Sequence, residues 1–186
     1  MKLLKIVLAH AVVLAAIVVA FAYSGVYPVG ADSAHTGPVA WLLGTVRTRS
    51  LAAQANTVQL RDLSDPKLIA EGAEHYDAMC TGCHLAPGIE DTELRKGLYP
   101  QPPKLADPWP SDPREQFWAI KHGVKFTAMP AWGTTHSDEA IWGIVAFLQK
   151  LQGMTPEQYA QATGHTGEEH EGHHHHHDDE DHHDHE

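Results

Sequence analysis

The chain has 186 residues, 42% hydrophobic and 20% charged, a balance that fits a globular protein rather than a disordered or wholly membrane-embedded one. Charge is unevenly spread along it. Residues 1–64 carry five Lys/Arg against two acids, residues 65–152 eight against twelve, and residues 153–186 none against ten, for a formal net charge of −11. That field argues against a nucleic-acid binder, which needs basic groups to reach phosphates.

Lys2 and Lys5 precede an almost uninterrupted apolar run from Ile6 to Tyr27. At 1.5 Å per residue this run extends about 33 Å, enough to cross a hydrocarbon core about 30 Å thick. Only His10 and Ser24 interrupt it, and Tyr23 and Tyr27 sit where an interfacial aromatic belt would lie. The lysines place the N-terminus in the cytoplasm and the rest of the chain in the periplasm. Residues 1–29 therefore read as an inner-membrane anchor in the lipid bilayer. A cleaved signal peptide is the alternative, because Ala20-Phe21-Ala22 has the small-x-small form of a cleavage site. The apolar run is longer than a usual signal core and continues past that site, which favours the anchor.

Residues 30–64 read as an amphipathic helix and linker. Val39, Leu42, Leu43 and Val46 recur at helical spacing between Ala34 and Asn56, while Arg47 and Arg49 fall off that stripe. With Trp41 near its start, the helix could lie along the membrane surface or pack on the domain that follows.

Asp65-Pro66 is a helix start, and Leu68, Gly72, Tyr76 and Cys80 then share one face by their spacing of four. Next comes Cys80-Thr81-Gly82-Cys83-His84, the strongest signal in the chain. Two thiols three residues apart on a helical turn point to the same side and can form thioethers to the two vinyl groups of a haem. The adjoining His84 then projects its imidazole under the iron. A redox dithiol would need a βαβ context, and a structural zinc would need a second ligand pair. A Cys80–Cys83 disulfide is the remaining alternative in an exported protein.

A sixth iron ligand should come from a later loop. Of the four methionines, Met1 is cytoplasmic, Met79 lies on the attachment helix and Met154 follows the last long helix. Met129 remains, followed by Pro130 in an extended setting that lets its thioether point inward. His122 and His136 flank it and would lower the reduction potential if either took its place. Lys121 and Lys125, just before this loop, could steer an acidic partner or simply be solvated.

Seven of the twelve prolines fall between Pro87 and Pro113, so that stretch reads as a wrapping loop. Ser111 to His122 reads as a short helix closed by Gly123, and Ser137 caps a last long helix through Leu151. Ile141, Val145 and Leu148 form its stripe, broadened by Trp142 and Phe147. Gly143 within it costs about 1 kcal/mol against Ala and suggests a close helix contact. No strand pattern is present.

Residues 65–152 resemble a class I c-type cytochrome, through Gly72, Tyr76, Cys80, Cys83 and His84, the loop from Gly97 to Pro103, the Met129-Pro130 loop and the aromatic last helix. The apolar N-terminus adds a looser likeness to membrane-anchored monohaem cytochromes of Gram-negative bacteria. The resemblance implies an all-α haem domain over 65–152; residues 153–163 read as a separate short terminal helix. It implies one covalent haem c, and first and last helices that cross closely through Gly72 and Tyr76, with Trp142 and Val145 opposite. It also implies electron transfer rather than catalysis, from a quinol-oxidising complex or dehydrogenase to a terminal oxidase. A haem-bearing subunit of a larger membrane oxidoreductase and a metal-handling protein are the alternatives.

The segment 164–186 departs from that family. It holds ten histidines (His165, His170, His173, His174, His175, His176, His177, His182, His183 and His185) with nine acids, no Lys or Arg and no apolar residue. Such a composition reads as a disordered tail. Neighbouring imidazoles suit Cu(II), Ni(II) or Zn(II) without a preformed cage, unless the tail is only a solvated acidic extension or a cloning tag.

Overall fold

The first helix, α1 (Lys2–Ser24), has a mean hydropathy of 2.6 over its most apolar stretch and buries none of its residues. Its length and composition are sufficient to cross a membrane. Gly25 ends it with φ 65°, a left-handed conformation that costs a glycine little. The chain therefore leaves the helix before the apolar run finishes. Tyr27 turns to His35, sharing a 2.8 Å hydrogen bond through its hydroxyl, and the His35 N–H donates to the Tyr99 hydroxyl at 3.2 Å. This computed structural model describes residues 1–108 and 112–164, and among them every regular element is helical.

Pro38 opens the second helix, α2 (Gly37–Ala55), in its first turn. Of the two placements the sequence allowed, packing on the domain is realised: α2 lies against α6 (Pro113–His122). The expected stripe splits. Val39 and Leu43 are half-buried, whereas Leu42 and Val46 are exposed with Trp41.

Two long helices build the core. The first, α3 (Pro66–Met79), starts where Asp65 accepts a hydrogen bond from the Lys67 N–H at 2.9 Å. The second, α7 (Asp138–Leu151), is capped by the Ser137 hydroxyl, which accepts from the Ala140 N–H at 3.2 Å. They cross through two glycines. A Cβ on Gly72 would stand 1.9 Å from the Gly143 carbonyl oxygen, and one on Gly143 would stand 3.1 Å from that of Leu68. Tyr76 packs on Phe147 one turn further, with ring centroids 5.5 Å apart. The crossing partner on α7 is thus Gly143, followed by Phe147, in place of the expected Trp142 and Val145. Trp142 instead stacks at 4.2 Å on Phe117 of α6, while Val145 is fully buried in the core.

The α6 helix begins at Pro113 with Asp112 as its cap, so the expected start at Ser111 falls just before it, outside the described residues. The last described helix, α8 (Pro156–Thr163), carries a capping box between Thr155 and Gln158. Its Tyr159 hydroxyl donates to Asp77 on α3 at 2.8 Å, closing α8 over the outside of the attachment helix. The tail histidines from His165 to His185 lie outside the described residues.

Candidate haem-binding site

The C-x-x-C-H run forms its own short helix, α4 (Thr81–His84), with Cys80 at the junction to α3. Two backbone bonds shape the turn, His84 N–H to Cys80 carbonyl at 2.8 Å and Cys83 N–H to the same carbonyl at 3.1 Å. Both cysteines are free thiols and half-buried, so the disulfide alternative is not realised. Burial pushes the Cys80 thiol up to about 12, with the neighbouring Cys83 adding to the effect. It is therefore a neutral thiol at ordinary pH. Leu85 follows His84 at φ 61°, an uncommon conformation for a branched residue, and is buried. The Tyr76 hydroxyl, itself buried, donates to the Leu85 carbonyl at 2.6 Å and holds this reversal in place.

His84 is oriented from the other side of the loop. Its Nδ1–H donates to the Pro103 carbonyl at 2.9 Å, leaving Nε2 as the nitrogen that can bind iron. Burial holds the imidazole below its usual pKa, against the opposing pull of that hydrogen bond, and the charge of Arg95 lowers it further. A neutral imidazole with one nitrogen bonded to a carbonyl is the form a metal requires.

The stretch from Pro87 to Pro113 holds one feature that its prolines concealed. A four-residue helix, α5 (Glu93–Lys96), is capped by Thr92, whose hydroxyl also donates to the Gly82 carbonyl at 2.6 Å. The α5 helix hangs from the attachment turn by that bond. It carries Arg95, the buried charged residue of the described chain, which sequence reasoning passed over. The Tyr99–Pro100 peptide that follows is cis.

Met129 sits in a loop closed on itself. Thr127 Oγ1 accepts from the Met129 N–H at 3.1 Å and donates to the Val124 carbonyl at 2.7 Å. The Val124 N–H in turn donates to the Met129 carbonyl at 3.1 Å. Gly123, at φ 67°, lets this loop lie on the end of α6, since a Cβ there would meet the Met129 carbonyl at 2.8 Å. Met129 and Cys80 both pack against the same buried cluster around Tyr76, Ile141 and Phe147. The rival histidines are engaged elsewhere: His122 lies on Trp118 at 4.8 Å, and His136 sits between Trp132 and His75. Lys121 is ion-paired with Asp138 at 2.7 Å, which leaves Lys125, beside the exposed Phe126, as the open cation next to the loop.

The donor set fits a covalently attached haem. Two free thiols on one turn, an imidazole with Nδ1 committed to a carbonyl and a methionine packed against the same core are the groups that would hold it, the thiols by covalent attachment and His84 Nε2 and the Met129 thioether as iron ligands. Among the described residues no group of three His, Cys, Asp or Glu could hold another metal ion. Residues 67–148 match the family model described as Cytochrome C oxidase, cbb3-type, subunit III. No curated protein and no solved structure matches the chain.

Proposed function

We infer that this protein, which carries a class I c-type cytochrome domain over residues 67–148, is an electron carrier that holds one haem through Cys80 and Cys83, with His84 and Met129 as axial ligands. The observation that carries this reading is the His84 imidazole, buried on the C-x-x-C-H turn with Nδ1 committed to the Pro103 carbonyl. Such a haem supplies one-electron exchange at iron. The chain's own residues attach the ring, fix the imidazole, exclude water through the core around Tyr76 and Phe147, and offer Lys125 and Phe126 to a partner. With His84 and Met129 both holding the iron, no position would be left to oxygen or peroxide, which suits electron transfer and not catalysis by this chain.

The setting follows from α1. Anchored by this apolar helix, the haem domain faces the periplasm and passes electrons from a quinol-oxidising complex or dehydrogenase to a terminal oxidase. Small, short-lived interfaces suit such traffic. The second reading, favoured by the description of the matching family, makes the domain a fixed haem subunit of a larger membrane oxidoreductase. Stoichiometric co-purification with other subunits in mild detergent distinguishes it from a free carrier.

Reduced and oxidised absorbance spectra of the matured protein test the site. Haem should stay with the chain under acid-acetone extraction, and a Cys80→Ala, Cys83→Ala double variant should lose it. The oxidised protein should show the weak near-infrared band of Met-to-ferric charge transfer, and Met129→Ala should abolish it. Persistence of the band in that variant would move the ligand assignment elsewhere.

A further inference from the structure

Burying an arginine is costly unless its charge and its donors are answered, so a side chain 6% exposed calls for a reason. Arg95 Nη1 bonds Asp91 Oδ1 at 2.5 Å, and Nη2 donates to the Pro102 carbonyl at 2.9 Å. Nε is buried with no hydrogen-bond partner. Asp91 is itself 38% exposed, so water screens the one carboxylate that answers the charge.

The position of this cation is specific. Pro102 and Pro103 have no N–H to donate, and their carbonyls are gripped by two side chains, Pro102 by Arg95 and Pro103 by His84. Arg95 and His84 therefore grip adjacent peptide units, joined through Pro103. Through Thr92 the same short helix is bonded to Gly82, between the two cysteines. The α5 segment thus braces the imidazole-bearing turn from both ends of the loop, through Thr92 at Gly82 and through Arg95 at Pro102. A neutral amide could make the Pro102 bond with less desolvation, so the retained positive charge is itself the feature to explain.

We propose that Arg95 is a positioning residue whose buried positive charge, moderated by Asp91, raises the reduction potential of the haem on its His84 side while its bond to Pro102 holds the Pro103 carbonyl on His84. A cation this close to His84 would disfavour the extra positive charge of a ferric iron held by that imidazole, and in a screened interior one unit of charge is enough to matter. The proposal rests on His84 being the proximal ligand. It predicts opposite shifts for the two partners. Arg95→Gln leaves Asp91 uncompensated and favours ferric iron; Asp91→Asn leaves Arg95 uncompensated and favours ferrous iron.

Redox titration of the matured full-length protein tests this, using wild type, Arg95→Gln, Arg95→Lys and Asp91→Asn. Arg95→Gln should lower the ferrous-to-ferric ratio at a fixed ambient potential about tenfold, which is about 59 mV for one electron. Asp91→Asn should raise that ratio, and Arg95→Lys should restore most of the wild-type value. Should Arg95→Gln fail to mature, the Asp91→Asn and Arg95→Lys titrations decide alone. Shifts of the same sign in Arg95→Gln and Asp91→Asn, or no shift in Asp91→Asn, would overturn the proposal, because loosening of the loop acts in one direction only. The near-infrared band separates the two questions. Its absence from wild type sinks the His84/Met129 reading, whereas its presence in every variant with unshifted potentials sinks the Arg95 proposal alone.

Discussion

At the residue scale, the hydroxyl of Tyr76 does work that its aromatic ring does not. It is buried in the core and bonds the carbonyl of Leu85, the residue that reverses the chain directly after His84. Burial raises its pKa above the ordinary tyrosine range, so it remains a donor at every pH the protein meets. Tyr76→Phe keeps the packing on Phe147 but leaves that carbonyl unanswered. The expected cost is about 1–3 kcal/mol, read as a lower midpoint in denaturant unfolding of the haem-bearing protein. An unchanged midpoint would mean that water replaces the bond. The turn carrying Cys80, Cys83 and His84 was legible in advance, because C-x-x-C-H has few other physical readings, and the structure does form it as one short helix with both thiols free; Met129, reached by elimination among four methionines, lies in a loop against the same core. Arg95 was not legible. A lone arginine among prolines, lysine and acids has the look of a solvated charge, and burial arises only when Thr92 hooks α5 to Gly82.

At the element scale, the α3–α7 crossing sets how closely the two sides of the domain can approach. Gly72 tolerates no Cβ, since the Gly143 carbonyl oxygen would lie 1.9 Å away. Gly72→Ala should therefore force the helices apart and destabilise the domain by about 3 kcal/mol. Gly82, also helical, has only a Leu94 methyl carbon at 3.7 Å from the same kind of test atom. Gly82→Ala should be neutral or stabilising by up to about 1 kcal/mol. Thermal unfolding of both variants, matured with haem, checks the contrast; equal losses would show that the crossing is not what limits them. Helix identity came readily from caps and periodicity: Asp65-Pro66 and Ser137 both start the helices they announce. The crossing partner did not, because a stripe shows which face is apolar but not which residue on it lies closest. Trp142 has the larger side chain, yet it faces Phe117, and the point of closest approach fell to the glycine beside it.

At the scale of the whole molecule, the helical domain is joined to α1 by more than covalent linkage. Tyr27, His35 and Tyr99 form a chain of contacts from just past α1 to the loop that ends at Pro103. Detachment of the domain from α1 would have to break it. Because α1 is long and apolar enough to cross a membrane, the full-length protein should fractionate with membranes and resist carbonate extraction, retaining Lys2 near its N-terminus; a mature chain beginning at Tyr23 would show cleavage after Ala22 and overturn the anchored reading.

The opposite end of the chain follows different physics. Beyond Gly164 the sequence sets ten histidines among nine acids with no apolar residue, a composition whose metal affinity is expected to rise with the local density of imidazoles. Carboxylates supply favourable charge, and imidazoles must be neutral to bind. Cu(II) or Zn(II) uptake should accordingly weaken as pH falls through about 6.5, where free imidazole takes up its proton. Calorimetric titration of the full-length protein and of a chain ending at Thr163 isolates the tail, since the two share every haem-site residue. The longer chain should bind several ions more than the shorter, with the haem spectrum identical in both. Equal uptake would place the metal elsewhere, and a tail-dependent change in the near-infrared band would mean that a tail histidine competes with Met129 for the iron.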